Sequence, residues 1–167
     1  MKTIHSVSDA LAYTLSNLFH SEQLMRDHFR VLADKLTSPT LAVQLEEQVC
    51  GCENNLLKLE RIFNYLMQEP VSGHRDTMTQ LINDTVRLTA SVHNHYLKDV
   101  LIIGGIQNIQ AVKISNYRMA YMLAVELELD TVVDLIQQIL EQETEATKAL
   151  STLFIYRFNK YRKTADV

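Results

Sequence analysis

The sequence predicts an all-α chain folded as an up-and-down four-helix bundle, with one additional short helix in the crossover. Two observations carry this. Apolar residues recur at alternating steps of three and four, the spacing that lines one side of a helix. Four glycines and two prolines in 167 residues leave few turns, so the helices are long. At this length a single domain over residues 1–167 is expected.

The first helix starts at Ser6-Val7-Ser8-Asp9, which has the form of a capping box, and its periodicity runs to Leu36. Thr37-Ser38-Pro39 then supplies a stop, a cap and a proline suited to a first helical turn. The second helix turns Leu45, Val49, Cys52, Leu56, Leu59, Phe63 and Leu66 inward and ends before Pro70. Pro70 to Gly73 is the clearest break in the chain. A short amphipathic helix follows from about Asp76 to Ala90, with Met78, Leu81, Ile82 and Val86 inward.

His93-Asn94-His95 reads as a connection or the frayed start of the next helix. From Val100 to Ile114 the chain is rich in β-branched residues and holds Gly104-Gly105, a local hairpin signal. Against it, about two dozen residues after Gly105 keep helical spacing to Leu127 with no further breaker, and strands that long are rare. A helix is therefore predicted, with the paired glycines marking close approach of another helix. Asp130 or Thr131 caps the last helix, which runs to about Tyr161.

Apolar residues make up 47% and charged residues 22%, the balance of an ordinary soluble globular chain. A net charge of −4 excludes nucleic acid as the main ligand, because phosphate binding needs a basic footprint. The basic cluster Arg157, Lys160, Arg162 and Lys163 is read as complementing the dipole at the end of the last helix. No apolar run approaches the roughly 18 residues that span a membrane. The N-terminus has no basic segment leading into an apolar stretch, so no membrane association and a cytoplasmic location are expected. Cys50 and Cys52 flank one glycine; on a helix they point about 200° apart and cannot readily share a metal or a disulfide. Cys52 falls on the core stripe as a small buried hydrophobe. His93 and His95 lie far from the helix midpoints and are assigned to a loop or surface.

Three apolar rows are each broken by one charge near the middle. Glu22 interrupts the first between Leu18 and Met25, Lys113 the next between Ile109 and Asn116, and Glu143 the last between Ile139 and Ala146. A charge on a stripe that faces partner helices is costly unless it is paired, metal-bound or wet. Glu53, beside Cys52, stands at the midpoint of the second helix, and Gln110 lies one turn before Lys113. Four helices of similar length packed side by side would bring Glu22, Glu53, Lys113 and Glu143 to one depth as a buried ion-pair layer.

A carboxylate-bridged dimetal centre is built from such a layer, with a Glu from each of two helices and a Glu-x-x-His from each of two others. Here Glu53-Asn54-Asn55-Leu56 places Leu where His is required. Glu143-Thr144-Glu145-Ala146 places Ala there, and Gln110 and Lys113 stand in for Glu.

Leu15-Ser16 with Glu22, Leu59-Glu60-Arg61-Ile62, Ile114-Ser115-Asn116-Tyr117 and Leu140-Glu141-Gln142-Glu143 recur in this order along nearly the whole chain. In them the sequence resembles the ferritin-like stress-response family typified by bacterial YciF and YciE. The resemblance implies a ferritin-like bundle, often dimeric, that can carry a dimetal centre and has no settled activity. Carried over by position, Glu22 and Glu53 match the family's expected ligands. Leu56 falls where a ligand His is usual, Gln110 and Lys113 where Glu is usual, and Thr147 where Asp is usual.

The sequence therefore predicts a metal-free relative that is not an enzyme, in which Lys113 supplies the positive charge that metal would otherwise bring. It would act through protein association as a homodimer with no cofactor, in a stress-related setting that the resemblance alone implies. The alternative is a dimetal oxidase or ferroxidase holding iron or manganese with Glu22, Glu53, Gln110 and Glu143.

Overall fold

In this computed structural model, residues 4–71 and 76–165 are described, the side chains of Asp76, Arg157 and residues 159–165 excepted. The described chain is five helices: α1 (Val7–Ala33), α2 (Pro39–Leu66), α3 (Asp76–Ala90), α4 (His95–Glu126) and α5 (Asp130–Ala165). No strand occurs among the described residues, and residues 100–114 are helical throughout.

Local chemistry sets the boundaries. Ser6 caps α1 by accepting the backbone N–H of Asp9 at 3.0 Å, and the Asp9 carboxylate answers by accepting from the N–H of His5. The helix stops at Ala33, short of Leu36, because the chain tightens there: Lys35 and Leu36 donate to carbonyls only three residues back. Pro39 opens α2, while Ser38 has the extended backbone of a cap but makes no side-chain capping bond. Thr37 instead donates through its N–H and hydroxyl to Asp99 of α4, at 2.8 and 2.9 Å. Asn94 caps α4 by accepting from Leu97, so His95 begins that helix. Asp130 is the first residue of α5 and not its cap; the basic side chains near the end of α5 and the break at residues 72–73 lie outside the described residues.

α1 packs on α2 and α4, and α5 packs on the same two, closing a ring α1–α2–α5–α4. Neighbours run antiparallel. Leu11 to Leu18 of α1 share one apolar cluster with Leu59 to Phe63 of α2, Tyr117 to Ala124 of α4 and Val132 to Ile139 of α5. Met25 to Ala33 share the other with Leu41 to Cys52, Ile102 to Ile109 and Leu150. α2 and α4 are therefore diagonal and parallel, which forces a long return connection, and α3 occupies it. Met78 and Ile82 of α3 close over the first half of α4. Each large apolar side chain so buried contributes roughly 1.5–3 kcal/mol.

Of the paired glycines, only Gly105 marks a close approach: a Cβ there would run into the side chain of Thr85, whereas one at Gly104 would meet open space. The apolar row of α4 also differs from the expected one. Tyr117 is buried where Asn116 was expected, because a straight helix at 3.6 residues per turn drifts from a strict seven-residue repeat. None of the described helices is long and apolar enough to cross a membrane.

Candidate functional site

The two apolar clusters are separated by a polar layer at the middle of the bundle. α1 brings Glu22 to it, α2 brings Cys52 and Asn55, α4 brings Lys113 and Tyr117, and α5 brings Glu143; all are buried. Spacing explains the pairs on one helix, since residues three or four apart share a face. Asn55 follows Cys52 by three, and Tyr117 follows Lys113 by four.

The Lys113 ammonium stands between the two carboxylates, with Nζ 2.8 Å from Oε2 of Glu143 and 3.6 Å from Oε2 of Glu22. The opposite oxygens are tied by Asn55, whose Nδ2 donates to Oε1 of Glu143 at 2.7 Å and to Oε1 of Glu22 at 3.0 Å. The Tyr117 hydroxyl donates to that same Glu22 oxygen at 2.8 Å. The Cys52 thiol is buried in the same layer.

Charge explains the protonation of the layer. Burial pushes the Glu22 carboxyl above its ordinary range; Lys113 partly opposes this and Glu143 adds to it. Burial works against the charge on Lys113, but Glu22 and Glu143 outweigh it and hold the ammonium more firmly than in an ordinary lysine. Burial also pushes the Cys52 thiol and the Tyr117 hydroxyl well up, so both keep their protons. Two carboxylates against one ammonium leave one negative charge in a medium that solvates it poorly. A proton on Glu22 removes that excess, in the direction burial already drives it.

This geometry does not fit a dimetal centre. The space between the carboxylates, where bridged cations would sit, is filled by a cation that belongs to the chain. Among the described residues, no imidazole reaches the layer: the His20 ring bonds to Gln23 and to the carbonyl of Val71, and that of His28 to the carbonyl of Leu24. Among the described residues, no three of His, Cys, Asp and Glu are grouped to hold a metal ion.

Two sequence-derived candidates fall elsewhere. Glu53, expected in the layer, lies at the surface with a half-exposed side chain and pairs with Arg30, because one step from Cys52 rotates it about 100° off the buried stripe. Gln110 is buried but turns to Gln48, to which its amide donates at 2.6 Å. The sequence reading missed Asn55 and Tyr117, while Cys52 is the small buried core residue that it expected. A usable signal existed: Tyr117 is one turn from Lys113 and Asn55 one turn from Cys52.

A family described as a domain of unknown function, DUF892, matches residues 6–162. Among solved structures, the Escherichia coli stress protein YciF is 18% identical, with a TM-score of 0.90 over 94% of this chain and 99% of that one. YcfI from Rhodopseudomonas palustris is 20% identical, with a TM-score of 0.87 over 90% of this chain and 96% of that one. A protein from Xanthomonas campestris is 13% identical, with a TM-score of 0.75 over 97% of this chain and all of that one. These likenesses establish the ferritin-like bundle fold. No curated protein matches the chain.

Proposed function

This chain belongs to the DUF892 family, and on that premise we propose that it is a metal-free ferritin-like bundle acting through protein association. One observation carries the reading: Lys113 Nζ occupies the space between Glu22 and Glu143 at ion-pair distance from both. A fixed ammonium there repels metal cations and supplies positive charge to the carboxylates in their place. Asn55 and Tyr117 then donate to the Oε1 atoms of the two carboxylates, on the side away from the ammonium. The reading assigns no catalytic residue. The likeness in fold to a stress protein supports a stress-related setting; a cytoplasmic location and a homodimer are part of the same proposal.

The test is elemental analysis of the protein purified without chelator from culture supplemented with iron and manganese. The expected result is metal well below one ion per chain, unchanged by Glu22→Ala. A stable complement of about two iron or manganese ions per chain, lost in Glu22→Ala, would overturn the metal-free reading.

A further inference from the structure

α4 is covered on more than one side, since adjacent residues such as Ile102 with Ile103 and Ile109 with Gln110 are both buried. α1 and α5 flank it, and α3 covers the outer face of its first half, where Thr85 crosses Gly105. The outer face of its second half has no cover: Met119 is 54%, Met122 66% and Val125 46% exposed. Two exposed charges stand on the same face, Arg118 one turn before Met122 and Glu126 one turn after. Among the described residues, neither has an ion-pair or hydrogen-bond partner.

This arrangement reads the same from both ends with the signs exchanged. An antiparallel copy of the helix, turned about an axis at Met122, sets position 122 − n against position 122 + n. Arg118 then meets the partner's Glu126, Met119 meets the partner's Val125, and each contact occurs twice. A two-fold interface must be self-complementary in this way. The apolar centre flanked by charges is also the pattern of a protein interface, and flexible methionines pack well across one.

We propose that the second half of α4 is a homodimer seam, with two copies packed antiparallel about Met122. The proposal rests on the association reading above and names its partner and surface. Sedimentation equilibrium on the full chain tests it, with circular dichroism to show that every variant is folded. The wild type is expected to be a dimer. Arg118→Glu sets two glutamates against each other at both contacts, and Glu126→Arg sets two arginines, so each should weaken the dimer by roughly tenfold or more. Mixing these two single variants should restore dimers, because every contact is then complementary. The double variant Arg118→Glu/Glu126→Arg should also dimerise.

A wild-type dimer indifferent to both reversals would overturn the seam and leave association through another face standing. A wild-type monomer would overturn the seam and the homodimer together. Failure of the mixed singles to pair, with each alone monomeric, would overturn the antiparallel register.

Discussion

Tyr117 and Glu22, 95 residues apart in the chain, meet at 2.8 Å in the middle of the bundle, and the phenol shares one carboxylate oxygen with Asn55. Tyr117→Phe removes that donor while keeping the ring. The expected loss is about 1–3 kcal/mol, the range for depriving a buried acceptor of a partner. Because the hydroxyl also lowers the proton affinity of Glu22, its removal moves the carboxyl still further above its ordinary 4.5. An acid raised in the folded state contributes stability that is whole below its unfolded value and lost as pH rises through the folded one. Urea melts should therefore show a larger deficit at about pH 8 than at about pH 4.

Lys113→Met leaves Glu22 and Glu143 without their cation. Breaking a buried pair in this way costs about 3–5 kcal/mol. Replacing Glu143 by Leu in the same chain should return much of the loss, since an apolar replacement of the whole pair is close to neutral. Lys113 also holds Glu22 down, so the single variant raises Glu22 further and should recover stability as pH falls toward 4.5. Additive losses of a few tenths of a kcal/mol in the double-mutant cycle would mean that the layer is wet.

Gly104 and Gly105 should respond to alanine with opposite signs. Gly105→Ala drives a methyl into Thr85 and should cost about 1–3 kcal/mol, as overpacking does. Gly104→Ala meets open space and removes backbone freedom from the unfolded chain, for a gain of about 0.5–1 kcal/mol. Thermal melts of the two variants side by side decide the matter.

Two helices end on residues that carry a side chain in the left-handed conformation, Met67 at φ 50° and Glu128 at φ 54°. At both, the following N–H reaches back five residues, Gln68 to Phe63 and Leu129 to Ala124, which is the closure that glycine favours. Met67→Gly and Glu128→Gly should each raise stability by a few tenths to about 1 kcal/mol in denaturant melts.

Periodicity placed the five helices because a stripe of apolar residues is a direct record of which side is buried. It also located Glu22, Lys113 and Glu143, since a charge on such a stripe stands out against its neighbours. Tyr117 and Asn55 were harder to see. A tyrosine on a stripe passes for an ordinary large core residue, and nothing in a lone chain says which oxygen its hydroxyl will meet. The expected row placed Asn116 inward because a repeat of seven was carried past Lys113, where the helix had already rotated. Glu53 was read for its depth along the axis, and depth is silent about direction. Its partner Arg30, on a different helix, is visible only once the two are packed.

The polar layer spans all four long helices at a single height, with apolar side chains above and below it. Sliding any one helix past its neighbours by a turn, about 5.4 Å, would carry a charged or amide group into hydrocarbon and strand its former partners there. Leucine and isoleucine rows alone tolerate such a slip, because one methyl-bearing side chain resembles the next. The layer therefore works as a vernier: it admits one axial alignment of the four rods and penalises the next by several ionic and hydrogen-bonded contacts at once.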